Sequence, residues 1–317
     1  MMRHFLTGDE PTREELGALL ELARRLKRSR GLGRDALRGK SIIAIFEKPS
    51  TRTRVSLQVA SHELGALCLA TSPQELQLGR GETVEDTARV LSRYVHAIAA
   101  RVFYHQSLER LAAASSVPVI NALSDLYHPL QMLADLMTIE EAKGGVEGVA
   151  IAWVGDGNNV CNSLMIGAAK LGAEIRVATP RAYRPHVRAV EAAERACGLS
   201  GGKLLLTEEP EEAVRGADVV VTDTFVSMGQ EAEAEERLRT FLPRYQVNEA
   251  LLALAKPDAI FMHCLPAKRG YEVTAGVLDG PRSVVLDEAE NRLHTSKALL
   301  LYLLAPDRAR ELLSATP

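Results

Sequence analysis

The sequence predicts an α/β protein made of two doubly wound parallel-sheet domains, and three observations carry that prediction. Short apolar runs alternate with amphipathic stretches along the chain, the pattern of parallel strands covered by helices. The alternation occurs twice, on either side of Gly144-Gly145. The length of 317 residues, 46% of them hydrophobic, suits two cores of ordinary size.

Taken in order, Thr12 and Glu15 form a capping box, and Leu16, Leu19, Leu20, Ala23 and Leu26 follow at helical spacing. An apolar strand over 41–46 runs through Glu47-Lys48-Pro49-Ser50 into a second helix. Further strands are predicted at 66–70, 97–101 and 117–120, separated by helices near 83–94 and 107–115. Pro129 opens a helix that ends at Lys143, before the glycine pair. A first domain over 1–143 and a second over 144–317 are therefore expected. In the second half, strands are predicted at 149–154, 175–178, 203–206, 218–222, 259–263 and 283–286. Helices fall near 159–171, 185–197, 247–255 and 291–304, the last leucine-rich and expected to pack back on the first domain. The acidic 230–239 stretch reads as a solvated helix or a loop. Sites are expected where strand C-terminal ends meet helix N-termini.

A formal net charge of −3 gives no global basic field for nucleic acid or anionic membrane, so an anionic ligand must meet locally placed cations. Cys68, Cys161, Cys197 and Cys264 are scattered without metal spacing or a disulfide framework, which favours a reducing compartment. No apolar run approaches the ~20 residues that span a bilayer. The N-terminal residues lack a signal-peptide core. A soluble cytoplasmic protein with no metal and no cofactor is the expectation.

Six segments hold residues suited to chemistry. Ser50-Thr51-Arg52-Thr53-Arg54 follows a strand and opens a helix, where free N–H groups and the helix dipole favour an anion. Ser50, Thr51 and Thr53 add hydroxyl donors and Arg52 a planar fork; an ordinary N-cap with solvated arginines has the same appearance. His128-Pro129-Leu130-Gln131 places an imidazole and an amide at another helix start, and Arg101 ends a strand. Such donors suit a carbonyl oxygen that gains negative charge. Val154-Gly155-Asp156-Gly157-Asn158-Asn159-Val160 lies between strand and helix. Val160 occupies the third-glycine position of a dinucleotide fingerprint, and the next strand ends in Thr179-Pro180 without the ribose-binding acid. A dehydrogenase is disfavoured; a turn presenting Asn158 and Asn159 to a small polar ligand remains. Asp223 at a strand end suits a cationic group, and Ser227-Met228-Gly229 suits an aliphatic chain. Cys264, in His263-Cys264-Leu265-Pro266, reads as metal ligand, nucleophile or small buried hydrophobe. Arg292 begins the final helix.

In this order the segments resemble the aspartate/ornithine carbamoyltransferase family, over nearly the whole chain from Phe46-Glu47-Lys48-Pro49-Ser50 to Glu288-Ala289-Glu290-Asn291-Arg292. Gln77-Leu78-Gly79-Arg80-Gly81-Glu82-Thr83 and Asp86-Thr87-Ala88-Arg89-Val90-Leu91 fit as well. His263-Cys264-Leu265-Pro266 and Ser227-Met228-Gly229 are similar to the ornithine-type members. The resemblance implies transfer of the carbamoyl group of carbamoyl phosphate to the δ-amine of L-ornithine, giving L-citrulline and phosphate. It implies that Ser50, Thr51, Arg52 and Thr53 bind the phosphate and that Arg101, His128 and Gln131 hold carbamoyl and phosphate oxygens. Gln77 would reach a neighbouring subunit's site in a homotrimer or an assembly of trimers. Asn159, Asp223, Ser227 and Met228 would bind ornithine, while Cys264, Leu265 and Arg292 complete the site where the substrates meet. Departures from the family pattern are modest: Gln58 stands where relatives often have glutamate, Ala66 replaces a commoner glycine, and His96 and Val102 also differ. Putrescine or N-acylated ornithine as acceptor, and a non-catalytic metabolite-binding relative, are the competing readings.

Overall fold

In the computed structural model, which describes residues 4–227 and 229–315, the chain forms two compact units. One comprises Met1–Met137 with Glu290–Pro317, the other Thr138–Ala289. The chain passes between them inside two helices, whereas the sequence suggests a break at the glycine pair.

The first unit begins with α1 (Arg13–Arg28), whose capping box is formed: Thr12 Oγ1 accepts from Glu15 N at 3.2 Å, and Glu15 Oε2 accepts from Thr12 N at 3.1 Å. Then come β1 (Ser41–Phe46), α2 (Thr51–Glu63), β2 (Leu67–Thr71), α3 (Val84–Leu91), β3 (Ala97–Arg101), α4 (His105–Ala114), β4 (Val119–Leu123) and α5 (Pro129–Lys143). The strands form one parallel sheet in the order β2-β1-β3-β4. Ile43, Ile45, Ile98, Leu108, Leu111 and Val119 anchor its core. The strand β3 is buried along its whole length, as its apolar run requires of a parallel strand covered on both faces; β2, at the edge, is only half-buried.

The second unit contains β5 (Ala150–Val154), α6 (Asn159–Lys170), β6 (Glu174–Ala178), α7 (Val187–Ser200), β7 (Lys203–Thr207), α8 (Pro210–Val214), β8 (Val219–Thr222), α9 (Ala234–Phe241), α10 (Glu249–Leu252), β9 (Ile260–His263) and α11 (Ala275–Leu278). Its five parallel strands are ordered β7-β6-β5-β8-β9. Val154, Val220, Phe225, Phe241, Leu252 and Phe261 lie in its core. Helix α12 (Val285–Leu304) carries the chain back into the first unit, where α13 (Pro306–Ser314) ends the ordered elements.

The doubly wound α/β class is as the sequence predicts. One strand is not. Residues 283–286 do not extend the second sheet: Ser283 makes an isolated bridge to Phe261, and α12 has begun by Val285. Asp287 and Glu288 in the first turn favour that helix start, and Leu286 points to solvent at 76% exposure instead of alternating into a sheet. The acidic stretch is helical, as α9, but Arg237 and Phe241 on it are buried.

Reversal of strand order makes a switch point in each sheet, between β1 and β3 in the first and between β5 and β8 in the second. Arg52 and Arg101 follow or end the strands at the first of these places, and Asn159 and Asp223 follow the strands at the second.

Candidate functional site

In the first unit, β1 and β3 end side by side, with Phe46 paired to Arg101. Glu47 N donates to Arg101 O at 2.9 Å, and Glu47 Oε2 accepts from Phe103 N at 2.6 Å, which ties the two loops together. Ser50 caps α2, its Oγ accepting from Thr53 N at 3.3 Å. Thr53 is buried on the inner face of the helix, while Thr51 is exposed and Ser50 and Arg52 are half-buried.

Arg292, from α12, is 2% exposed and reaches two of these elements. Its Nη2 donates to Thr53 Oγ1 at 2.8 Å and its Nη1 to Gln131 Oε1 at 2.6 Å. Gln131 Nε2 in turn donates to Asp135 Oδ1 at 2.7 Å, so the amide is oriented from both ends. His128 is buried one turn before Gln131. Burial pushes its imidazole well below the ordinary histidine range, and the charges of Arg292, Arg101 and Arg52 push it further the same way. The result is a neutral ring among three guanidinium groups. Such a ring can donate one hydrogen bond to an oxygen without bringing a fourth positive charge. The cations are suited to an oxyanion or phosphate.

In the second unit, Asn158 caps α6, its Oδ1 accepting from Val160 N at 3.0 Å and Cys161 N at 3.1 Å. Its Nδ2 donates to Asp223 Oδ2 at 2.8 Å, across the switch point from β5 to β8. The other carboxylate oxygen of Asp223 accepts from Thr224 N at 2.7 Å and from Cys264 Sγ at 3.2 Å. Asp223 is 6% exposed, so a buried carboxylate faces the ends of β5 and β9 together. Asn159 opens α6 beside this group, half-buried. Ser227 is half-buried and its backbone is tied to Gln230, with Ser227 N donating to Gln230 Oε1 at 3.0 Å. Met228 lies outside the described residues.

The glycines of the 154–160 turn serve packing rather than a nucleotide. Gly155 has φ +131°, and a side chain on Gly157 would strike the backbone of Arg184 and Pro185 within 2.5 Å. Asp223, His263 and Cys264 have donor atoms within 4.8 Å of one another, a set that metals also use. A metal there would have to displace Leu265 N from His263 Nδ1, which it contacts at 2.9 Å, and the thiol from Asp223.

Gln77 stands apart from both clusters. It is exposed in a short 3₁₀ turn, Gln77–Arg80, and its side chain makes no hydrogen bond among the described residues.

Two further groups escaped the sequence. Asp156 and Arg237 form a buried ion pair, and Arg237 Nε also donates to Phe225 O at 2.5 Å. Its guanidinium lies 4.6 Å from the Tyr183 ring. Burial pushes the Asp156 carboxyl up to about 7 despite the lowering pull of Arg237; Asp223 adds to the rise. Arg237, one of two arginines in an acidic helix and four residues before Phe241, is a faint signal in retrospect. Asn158 was visible as part of the turn, but its bond to Asp223 was not, because the two are far apart in sequence.

Family models match both halves: the aspartate/ornithine carbamoyltransferase carbamoyl-P binding domain over residues 3–141 and the Asp/Orn binding domain over 147–303. The chain belongs to the aspartate/ornithine carbamoyltransferase family. It is 56% identical to the ornithine carbamoyltransferase of Hyperthermus butylicus, over 96% of this chain and 98% of that one. The solved ornithine carbamoyltransferase of Pyrococcus furiosus superposes with a TM-score of 0.91 at 53% identity, covering 95% of this chain and 97% of its own. A solved N-acetyl-L-ornithine transcarbamylase mutant is also similar, with a TM-score of 0.85 and 32% identity over 95% of this chain and all of its own. Both substrate-domain models are thus present in one chain of the usual family length.

Proposed function

We propose that the chain transfers the carbamoyl group of carbamoyl phosphate to the δ-amine of L-ornithine, giving L-citrulline and inorganic phosphate. The observation that carries this reading is the buried neutral imidazole of His128 among Arg52, Arg101 and Arg292, at the switch point of the first sheet. The acceptor is supported by the names of the more identical relatives, which are ornithine carbamoyltransferases, and by the buried carboxylate of Asp223.

In this proposal the N-terminus of α2, with Ser50, Thr51, Arg52 and Thr53, takes the phosphate. Arg101, His128 and Gln131 take the carbamoyl and phosphate oxygens, and Arg292 holds Thr53 and Gln131 in place while contributing charge. As the amine attacks the carbonyl carbon, negative charge grows on the carbonyl oxygen, and donors fixed there stabilise it; losing one costs roughly 10²–10³ in rate. The C–O bond to phosphate then breaks, the proton shed by the attacking nitrogen passes to the departing phosphate, and the resulting hydrogen phosphate dianion is met by Arg52 and the helix N-terminus. Cys264 and Leu265 contact the reacting group.

The amine must attack unprotonated, yet an alkyl ammonium has a pKa near ~10.4, so only about one molecule in 10³ is ready at neutral pH, a deficit of roughly 4–5 kcal/mol. Desolvation recovers part of that. A carboxylate beside the amine would favour the ammonium, so Asp223 is assigned to the α-amino group, with Asn159, Ser227 and Met228 completing the ornithine contacts. A direct transfer of this kind needs no metal and no covalent enzyme intermediate.

The proposal includes a cytoplasmic homotrimer in which Gln77 serves a neighbouring subunit; its exposure in the Gln77–Arg80 turn leaves it accessible for that role. No described helix is long and apolar enough to cross a membrane. A colorimetric ureido-product assay with carbamoyl phosphate and ornithine, N-acetylornithine, putrescine or aspartate tests the reading. Ornithine is expected to be preferred. Product with N-acetylornithine alone would move the acceptor assignment, and folded protein that makes no product with any amine would refute transferase activity.

A further inference from the structure

Leu265 is one of two described non-glycine residues with positive φ, at +58°, a conformation that an L side chain resists. It sits directly after Cys264, whose thiol points at Asp223. Something must hold the corner. Leu265 N donates to His263 Nδ1 at 2.9 Å, and a backbone N–H can only donate, so Nδ1 is the acceptor and the ring proton is on Nε2. Nε2 lies 3.2 Å from Glu272 Oε1 and so donates to it. The same oxygen accepts from Lys268 N at 2.5 Å, which folds the 264–271 segment around a carboxylate only 1% exposed. The backbone of His263 is fixed as well, its N donating to Glu288 Oε2 at 2.9 Å. His263 is fully buried, and nothing in the transfer chemistry above uses its ring.

We propose that His263 is a positioning residue: its imidazole, oriented by Glu272, supplies the acceptor that fixes Leu265 in the left-handed conformation and so aims Cys264 at Asp223. The inference rests on the reading of Cys264 and Leu265 as contacts to the reacting group. It follows the general pattern in which a carboxylate sets the tautomer of a histidine and the histidine sets something else.

Two substitutions separate positioning from simple packing. In His263→Asn the amide oxygen falls near the place of Nδ1 and can still accept from Leu265 N. His263→Leu fills the space but accepts nothing. Steady-state kinetics of the full-length protein are paired with the rate of Cys264 alkylation by iodoacetamide, measured by peptide mass spectrometry against Cys68 in the same sample. For His263→Leu we expect kcat to fall about 30-fold or more, an unchanged carbamoyl phosphate Kd, and Cys264 labelling at least about 5-fold faster. For His263→Asn we expect most of kcat and slow labelling to be retained. A residue that only packs would lower thermal stability in both variants and leave the folded fraction with wild-type kcat and labelling. That result overturns the inference, as does equal impairment of both variants. Should His263→Leu not fold, Glu272→Gln takes its place: it nearly preserves shape but admits the other ring tautomer, so a drop in kcat of about 3-fold or more with faster labelling is expected. Wild-type behaviour in Glu272→Gln would overturn the inference. The labelling ratio does not depend on the acceptor, so absence of citrulline from the wild type would refute the ornithine reading while still leaving the corner tested.

Discussion

Replacing Arg237 with methionine should destabilise the protein by an amount that grows with pH. The guanidinium is 3% exposed and serves two acceptors, the Asp156 carboxylate and the Phe225 carbonyl. Methionine fills much of the volume but donates to neither. Loss of the charged donor to Phe225 O alone removes about 1.5–3 kcal/mol. The fate of Asp156 decides the rest. Burial holds its carboxyl up to about 7, far above the ordinary carboxylate range, even with Arg237 present. Without the guanidinium the folded pKa moves higher still.

The sign follows from linkage. A carboxyl whose folded pKa is raised favours the folded state fully below its unfolded pKa, and that contribution is lost as pH rises through the folded pKa. In the wild type the loss is complete just above about pH 7, the value to which Asp156 is raised. In Arg237→Met the loss continues to higher pH, at about 1.4 kcal/mol per unit. The variant is therefore about 1.5–3 kcal/mol less stable near pH 6, and roughly 4–6 near pH 9, because the orphaned carboxyl must there hold in the core a proton that the unfolded chain releases. Denaturant unfolding of both proteins at a series of pH values between those limits reads the difference directly. A constant difference across the series would show that Asp156 does not titrate there and would refute the reasoning.

The catalytic residues give sharper tests. Arg52→Ala should weaken carbamoyl phosphate binding by about 10²-fold, the loss of one charge-assisted phosphate contact, while ornithine parameters change little; an unchanged affinity in equilibrium titration counts against the phosphate assignment. Asp223→Asn should raise the ornithine KM by about 10-fold or more and leave the carbamoyl phosphate Kd within twofold, and a change in the latter alone would reverse the division of substrates between the units. Because burial and three arginines hold His128 neutral, kcat should show no acid limb from it at neutral pH; Arg292→Met removes one of those charges, and the acid limb should move up toward the ordinary histidine value. The pH profile of kcat decides, and a limb that stays in place means His128 is not the group being titrated. Rapid quench during turnover should yield no carbamoyl-thioester at Cys264, since a thiol donating to Asp223 is not poised as a thiolate nucleophile.

Much of this was legible in the sequence for identifiable reasons. Strands such as β1 and β3 are continuous apolar runs because both faces are covered, and such runs stand out between helices. Pro129 and the Thr12–Glu15 box mark helix starts through local chemistry that does not depend on the rest of the fold. The 283–286 stretch failed for the opposite reason. Val284 and Val285 suit a strand, and only the docking of a helix with exposed Leu286 and acidic first-turn residues decides against it. The short helices α8 and α11 carry too few residues for a periodic signal, whereas α10 lies within the helix predicted near 247–255. Candidate ligands at strand ends were visible one segment at a time. Their hydrogen-bond partners were not: Arg292 with Thr53, Asn158 with Asp223 and Asp156 with Arg237 each join residues that only topology brings together.

The two clusters differ in how they are built, and the difference matches the ligands proposed for them. Around His128 three guanidinium groups act on one imidazole, and that of Arg292 is oriented by hydrogen bonds to Thr53 Oγ1 and Gln131 Oε1. Guanidinium groups gathered in this way suit an incoming phosphate dianion. Around Asp223 the carboxylate is oriented by the Asn158 amide, a backbone N–H and a thiol, and among the described residues no cation forms an ion pair with it. A buried cation of that unit, Arg237, is committed instead to Asp156. Asp223 is therefore placed to meet an ammonium, while the neighbouring acid is the one paired with a guanidinium. Reversing the partners, with Arg237 on Asp223, would cancel the charge that an amino-acid acceptor requires. The separation of these two carboxylates, one paired and one merely oriented, is what suits the second unit to a cationic substrate.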